Sequence, residues 1–238
     1  MTPVEWLVAS LFVLVGAIVQ GSVGFGLGLV SAPVLALIDQ RFVPVTPLLL
    51  ATALTVVVAY REREHIAGRA LTWAWIGRVP GTALGLVAVT VFSGDVAAVI
   101  FGMGLLAAVL MTASGRRLDH TRPTLFGAGV LSGVMATAVS VGGPPIALVL
   151  IDLPPRRLRG TLSVFFGVGA TASLILLALV GQVTRTALVA TAALAPAMVV
   201  GLIIAAPVTA RVPAPRLVSL ALTVSAGSAI ALVLRGLI

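Results

Sequence analysis

The chain contains no cysteine, no lysine and no asparagine, and only 9% of its residues are charged. Each absence removes a class of function. Without cysteine there is no disulfide, no thiol nucleophile and no thiolate metal site. The two histidines, His65 and His120, both stand in charged stretches, and the few acidic residues fall at the ends of apolar runs or in loops. There is no His-Glu-x-x-His motif, no metal cluster and no pair of catalytic carboxylates. The sequence gives no ground for a membrane-embedded enzyme, and neither a cofactor nor a metal is expected. A soluble domain carries about 25% charged residues, so little of this chain is left to form one.

The net charge is +8 and every basic residue is arginine. The arginines lie in short stretches between apolar spans. That is the mark of membrane orientation and not of a nucleic-acid surface.

What the chain has is apolar length. Hydrophobic residues make up 60% of it, and uncharged stretches run over 6–38, 42–60, 79–94, 96–115, 123–151, 160–184, 186–210 and 217–234. A helix needs roughly 20 apolar residues to cross a hydrocarbon core about 30 Å thick. The third stretch reaches that length by taking in residues 70–77, with Arg78 inside it. The chain therefore reads as an all-α polytopic membrane protein. No basic region or small-residue cleavage site precedes the first apolar run, which is expected to be a retained span.

Two stretches are too long. Residues 6–38 as one straight helix would extend about 50 Å, beyond the bilayer core. Each over-long stretch also carries a break, "GSVGFGLG" at 21–28 and "SVGGPP" at 140–145. Glycine and proline are the residues least suited to a helix interior. Two short helices joined at each break, entering and returning to the same side, are expected.

A shift of 116 residues superposes Gly26 on Gly142, Arg41 on Arg157, Thr55 on Thr171, Pro80 on Pro196 and Gly85 on Gly201. These residues mark backbone geometry and span ends, so a duplication is expected, with repeats at 1–119 and 120–238. The arginines test the topology. If all eight stretches cross once, they divide nine to six between the two sides. If the two broken stretches return to their starting side, the division is twelve to three, with only Arg41, Arg185 and Arg235 on the poorer side. Cytoplasmic loops carry the arginine excess, so the second arrangement is expected. It gives two inverted-topology repeats, each a broken helix pair plus three spanning helices, about ten helices in all. Both termini are then expected outside the cytoplasm, with the chain in the cytoplasmic (inner) membrane.

Inverted repeats with broken helices are a recurrent transporter architecture, with substrate held near the midplane. A broken helix at membrane depth survives only where protein or a water-filled cavity surrounds it. The freed amides at such a break hold an anion without any charged side chain. Candidate binding residues are Gln20, Ser22, Gly24 and Gly26 at the first break, and Thr137, Ser140, Gly142, Gly143 and Pro144 at the second. Pro144 suits the first turn of the returning helix. Pro33, Pro80 and Pro196 are expected to shape the backbone. A packing role for Gly24-x-Gly26-x-Gly28 stays open beside a binding one. Arg78 also carries two readings. It either reaches the substrate as an intramembrane cation or snorkels to the surface past Trp73 and Trp75. Asp39 and Asp152 are expected to form surface pairs with nearby arginines, and "REREHIAGR" at 61–69 to be a solvated loop.

The stretches "GSVGFGLGLVSAPVLAL" at 21–37 and "ATAVSVGGPPIALVLI" at 136–151 resemble the sulfite and organosulfonate exporter family, the TauE/SafE-like membrane transporters. The resemblance covers nearly the whole chain. Its motif positions fall on Gly24, Gly26 and Pro33, and on Gly142, Gly143 and Pro144. The chain departs from the Thr-Asn-Lys stretch common in the family's second span, having Ala51-Thr52-Ala53-Leu54 there. The resemblance implies outward movement of sulfite, sulfonates or related small anions, driven by the proton gradient. A passive small-anion channel on the same scaffold is the alternative. The partners expected are a small anion and the lipid bilayer, with a homodimer left open and no nucleic acid.

Overall fold

A computed structural model describes residues 2–237, and the backbone alone of Arg69 and Ala70. Among the described residues there is no strand. Ten helices follow one another: α1 (Pro3–Val23), α2 (Leu27–Ile38), α3 (Val45–Arg61), α4 (Thr72–Val91), α5 (Gly94–Ser114), α6 (Arg122–Val139), α7 (Gly143–Leu150), α8 (Pro155–Leu179), α9 (Arg185–Arg211) and α10 (Ala214–Leu237). Among the described residues, seven segments are long and apolar enough to cross a membrane. Large apolar side chains such as Val79, Val87, Ile203 and Leu220 face outward from these helices, as a lipid environment requires. The chain is a multi-pass membrane protein.

Both over-long stretches are broken where glycine and proline foretold. The backbone of Gly24 and Gly26 is left-handed, at φ 99° and 138°. Gly24 closes α1 by donating its N–H to the Gln20 carbonyl at 2.8 Å. At the second break Ser140 takes the left-handed conformation, φ 59°, and α7 starts with Pro144 in its first turn. The arms are unequal, which differs from the expectation of two short helices. The outgoing arms are 21 and 18 residues long, the returning arms 12 and 8. Each long arm packs against a long neighbour, α1 on α9 and α6 on α4.

Helix contacts follow a symmetric pattern. Helices α1 and α9 pack as α6 and α4 do, and α2 on α10 matches α7 on α5. Helix α3 packs on α8, and α5 on α10. Exchanging α1–α5 with α6–α10 leaves this pattern unchanged. Most of these contacts run between the two sets, so neither set encloses a core alone.

Loop contacts define two faces. On one, Arg117 pairs with Asp152 at 2.7 Å, Arg159 with Glu62 at 2.7 Å, and the Ala67 N–H donates to the Thr161 hydroxyl at 3.0 Å. On the other, Arg235 donates to the Leu37 carbonyl at 2.7 Å, and Asp39 pairs with Arg41 at 2.7 Å. The surface pairs expected for Asp39 and Asp152 are thus present. The first face carries Arg61, Arg117, Arg157 and Arg159, and the second Arg41 and Arg235.

Pro33 is buried inside α2, whereas Pro80 in α4 and Pro196 in α9 lie on exposed helix faces. Each removes one helical hydrogen bond in mid-helix.

Candidate functional site at the two helix breaks

The breaks touch. A Cβ on Gly28 would meet the Ser140 carbonyl, and one on Gly143 would lie 2.7 Å from the Phe25 ring. Between them is a cavity of about 40 Å³, room for a few light atoms. Six of the expected residues line it: Gln20, Gly26, Arg78, Ser140, Gly142 and Gly143. Apolar walls come from Phe25, Leu29, Leu48 and Phe166. None of the residues lining it is acidic.

Two helix N-termini open onto this space. Helix α2 begins at Leu27, whose N–H is taken by the Gln20 Oε1 at 3.0 Å. The next two amides, Gly28 and Leu29, belong to residues of the cavity wall and have no acceptor within their own helix. At α7 the prolines 144 and 145 carry no N–H, so Gly143 supplies the first-turn amide. Both ends carry the partial positive charge of a helix start.

Arg78 comes between them by close packing of α4 on α6. Gly77 and Gly81 face the carbonyls of Phe126 and Val130, while Gly129 and Gly133 face those of Ala74 and Arg78. No side-chain carbon fits at any of the four, so the two backbones approach each other directly. Arg78 is 3% exposed. It does not snorkel. Its Nη1 donates to the Ser132 hydroxyl at 3.0 Å, and Ser132 donates to the Gly142 carbonyl at 2.6 Å. Its Cζ lies 4.8 Å from the centroid of the Phe165 ring. The guanidinium fills the place where a Cβ on Gly169 would stand. Its Nε and Nη2 have no hydrogen-bond partner among the described residues. Adjacent nitrogens of this kind form one edge of the planar fork that grips an oxyanion with two parallel bonds. Leaving a buried donor unpaired costs about 1–3 kcal/mol, and more for a charged group.

Four expected residues sit outside the cavity wall. Ser22 receives a hydrogen bond from Thr209 at 2.7 Å. Gly24 packs on the Arg159 backbone, whose Cα an added Cβ would meet at 3.1 Å. The Thr137 hydroxyl bonds that of Ser173 at 2.8 Å. Pro144 is buried behind Gly143 in α7. Ser132, Phe165 and Gly169 were not singled out from sequence. The Gly77-x-x-x-Gly81-x-x-x-Gly85 and Gly129-x-x-x-Gly133 spacings were the available signal, since they align Arg78 with Ser132 once α4 and α6 pack.

Two wider depressions flank the cavity. One, about 250 Å³, opens on the face poor in arginine and is lined by Gln40, Pro44, Ser93, Val139 and Gln182. The other, about 380 Å³, opens on the arginine-rich face and is lined by Gly21, Arg61, Glu62, Arg159 and Thr209.

The sequence from residue 8 to residue 232 matches the model of the family described as sulfite exporter TauE/SafE. The chain belongs to that family. It is also similar to a protein of Cupriavidus necator named a probable sulfite/organosulfonate exporter TauE, with 28% identity over 198 residues, 78% of this chain and 77% of that one. No solved structure matches the chain. Membership of the family makes this a membrane transport protein, and the broken segments that carried the resemblance are the ones that meet around Arg78.

Proposed function

We propose that the protein is a secondary transporter that exports a small sulfur-containing oxyanion, sulfite or a small sulfonate, across the cytoplasmic membrane. The observation that carries this reading is the buried, partly unpaired guanidinium of Arg78 in the wall of a cavity where two helix N-termini meet. An oxyanion satisfies all three groups at once. Its oxygens accept from the guanidinium, and the amides at Gly28, Leu29 and Gly143 lie with the remaining charge. The small cavity favours a compact anion over a bulky sulfonate. The substrate named for the Cupriavidus necator relative is of this chemical kind.

Movement is by alternating access around this cavity, with residues 1–119 and 120–238 as the two inverted repeats. The exchange symmetry of the helix contacts supports that division, and the arginine partition supports a cytoplasmic arginine-rich face with both termini outside. The depressions on either side serve as the two approaches. Export is coupled to the proton gradient, and the coupling proton is carried outside the cavity, whose wall holds no carboxylate.

Flux into proteoliposomes tests the reading. Wild-type protein should move sulfite, and Arg78→Ala should abolish it while the protein remains folded by circular dichroism. Sulfite flux in Arg78→Ala equal to wild type would refute the site. Flux that persists after the proton gradient is collapsed would favour a passive anion channel on the same scaffold.

A further inference from the structure

The two breaks are closed by different chemistry. At the second, the left-handed Ser140 seats on the start of α3, its hydroxyl donating to the Pro44 carbonyl at 2.6 Å. Pro44 and Val139 line the depression on the arginine-poor face, and Ser140 lines the central cavity. That closure is neutral. At the first, the left-handed Gly24 seats on the start of α8, where an added Cβ would lie 3.1 Å from the Arg159 Cα. Here the closure is ionic. Arg159 Nη2 donates to Glu62 Oε1 at 2.7 Å, and its Nη1 donates to the Ser22 carbonyl at 3.4 Å. Thr209 of α9 holds the Ser22 hydroxyl. One guanidinium thus links the end of α3, α8 and the first break in the wall of the arginine-side depression, which Gly21 also lines, while Gln20, next to it in the chain, lines the central cavity. Both side chains of the pair are largely buried, 17% exposed for Arg159 and 16% for Glu62. His65 Nδ1 stands 3.6 Å from the other Glu62 oxygen.

We infer that the Glu62–Arg159 ion pair is the gate on the arginine-rich face, and that it opens when a small oxyanion takes Arg159 from Glu62. A sulfonate or sulfite presents the same kind of paired oxygens to a guanidinium as a carboxylate does. An anion in the depression therefore competes for Arg159 and frees the Ser22 carbonyl with it, unlatching the first break. The neutral Ser140–Pro44 closure offers an anion nothing to compete for. The gate rests on the transport reading for its purpose but not for its test.

The cysteine-free chain makes the test direct. Thr55→Cys places a single thiol on the central cavity wall. Its labelling by a membrane-impermeant maleimide is measured in intact cells and in inside-out vesicles, which present opposite faces. With gluconate as the anion, labelling should be slow from both faces. Adding 2-hydroxyethanesulfonate should speed labelling from the arginine-rich face about tenfold, the scale of a modest shift in a two-state equilibrium. Adding Glu62→Gln should give that fast rate without the sulfonate. Equal rates for the Glu62→Gln and parent proteins, or faster labelling from the arginine-poor face instead, would overturn the gate. A sulfonate without effect on the parent protein would overturn the competition. Loss of flux in Arg78→Ala has no bearing on either result.

Discussion

The guanidinium of Arg78 occupies the space that a Cβ on Gly169 would fill. The cation rests on bare backbone of α8, with the Phe165 ring one turn earlier 4.8 Å from its Cζ. Gly169→Ala is therefore expected to push the guanidinium off its seat without removing it. Transport KM should rise about tenfold, as for a loss of roughly 1.4 kcal/mol of binding. Gly227→Ala, where an added carbon meets nothing, is the control. The comparison is a pair of sulfite flux titrations, and equal KM values would show that the slot is not needed.

Arg78→Met should uncouple stability from function. The apolar side chain removes a buried charge whose Nε and Nη2 are unpaired, and such replacements are often neutral or stabilising. Thermal unfolding in detergent should show a Tm at or above that of the wild type. Transport should fall about 100-fold or more, the scale of two charged hydrogen bonds. A large drop in Tm would mean that Arg78 serves the fold.

Gly81 has no room for a side chain against the Val130 carbonyl. Gly81→Val should force α4 from α6, costing about 1–3 kcal/mol by overpacking. Denaturant-induced unfolding followed by tryptophan fluorescence measures it. The same substitution at Gly127, which faces open space, should cost much less.

Gln20 caps α2 across the first break through the Leu27 N–H. Gln20→Leu leaves that amide unpaired in an apolar wall and should destabilise the protein by about 1–3 kcal/mol. Gln20→Glu keeps the acceptor but sets a negative charge at the cavity, so it should spare Tm and depress anion transport. Equal transport in Gln20→Glu and wild type would argue against an anion at this position.

The Arg41 guanidinium holds the Asp39 carboxyl below its usual range through a direct hydrogen bond. The pair contributes stability above the unfolded carboxyl value, about 3.9, and loses it as pH falls through the lower folded value. The Tm difference between wild type and Asp39→Asn should therefore shrink as pH is lowered from 6 towards 3. A difference that stays constant would mean the pair is inert.

The sequence by itself determined the membrane class, the two breaks and their position, because apolar run length and the glycine–proline interruptions act locally on the chain. It also marked the ends of the spans, since arginine stays where water is. Other features needed the packed molecule. Arg78 had both a surface and a cavity reading until the glycines of α4 and α6 brought it beside Ser132. Glu62 looked like one charge in a solvated loop at 61–69, yet its partner is Arg159, 97 residues away. Ser22 and Thr137, chosen for standing beside the breaks, turned out to bond Thr209 and Ser173 on other helices. Periodicity and breaks are properties of neighbours in sequence. Which cation meets which empty space is decided by helices that lie far apart along the chain and touch only when it is folded.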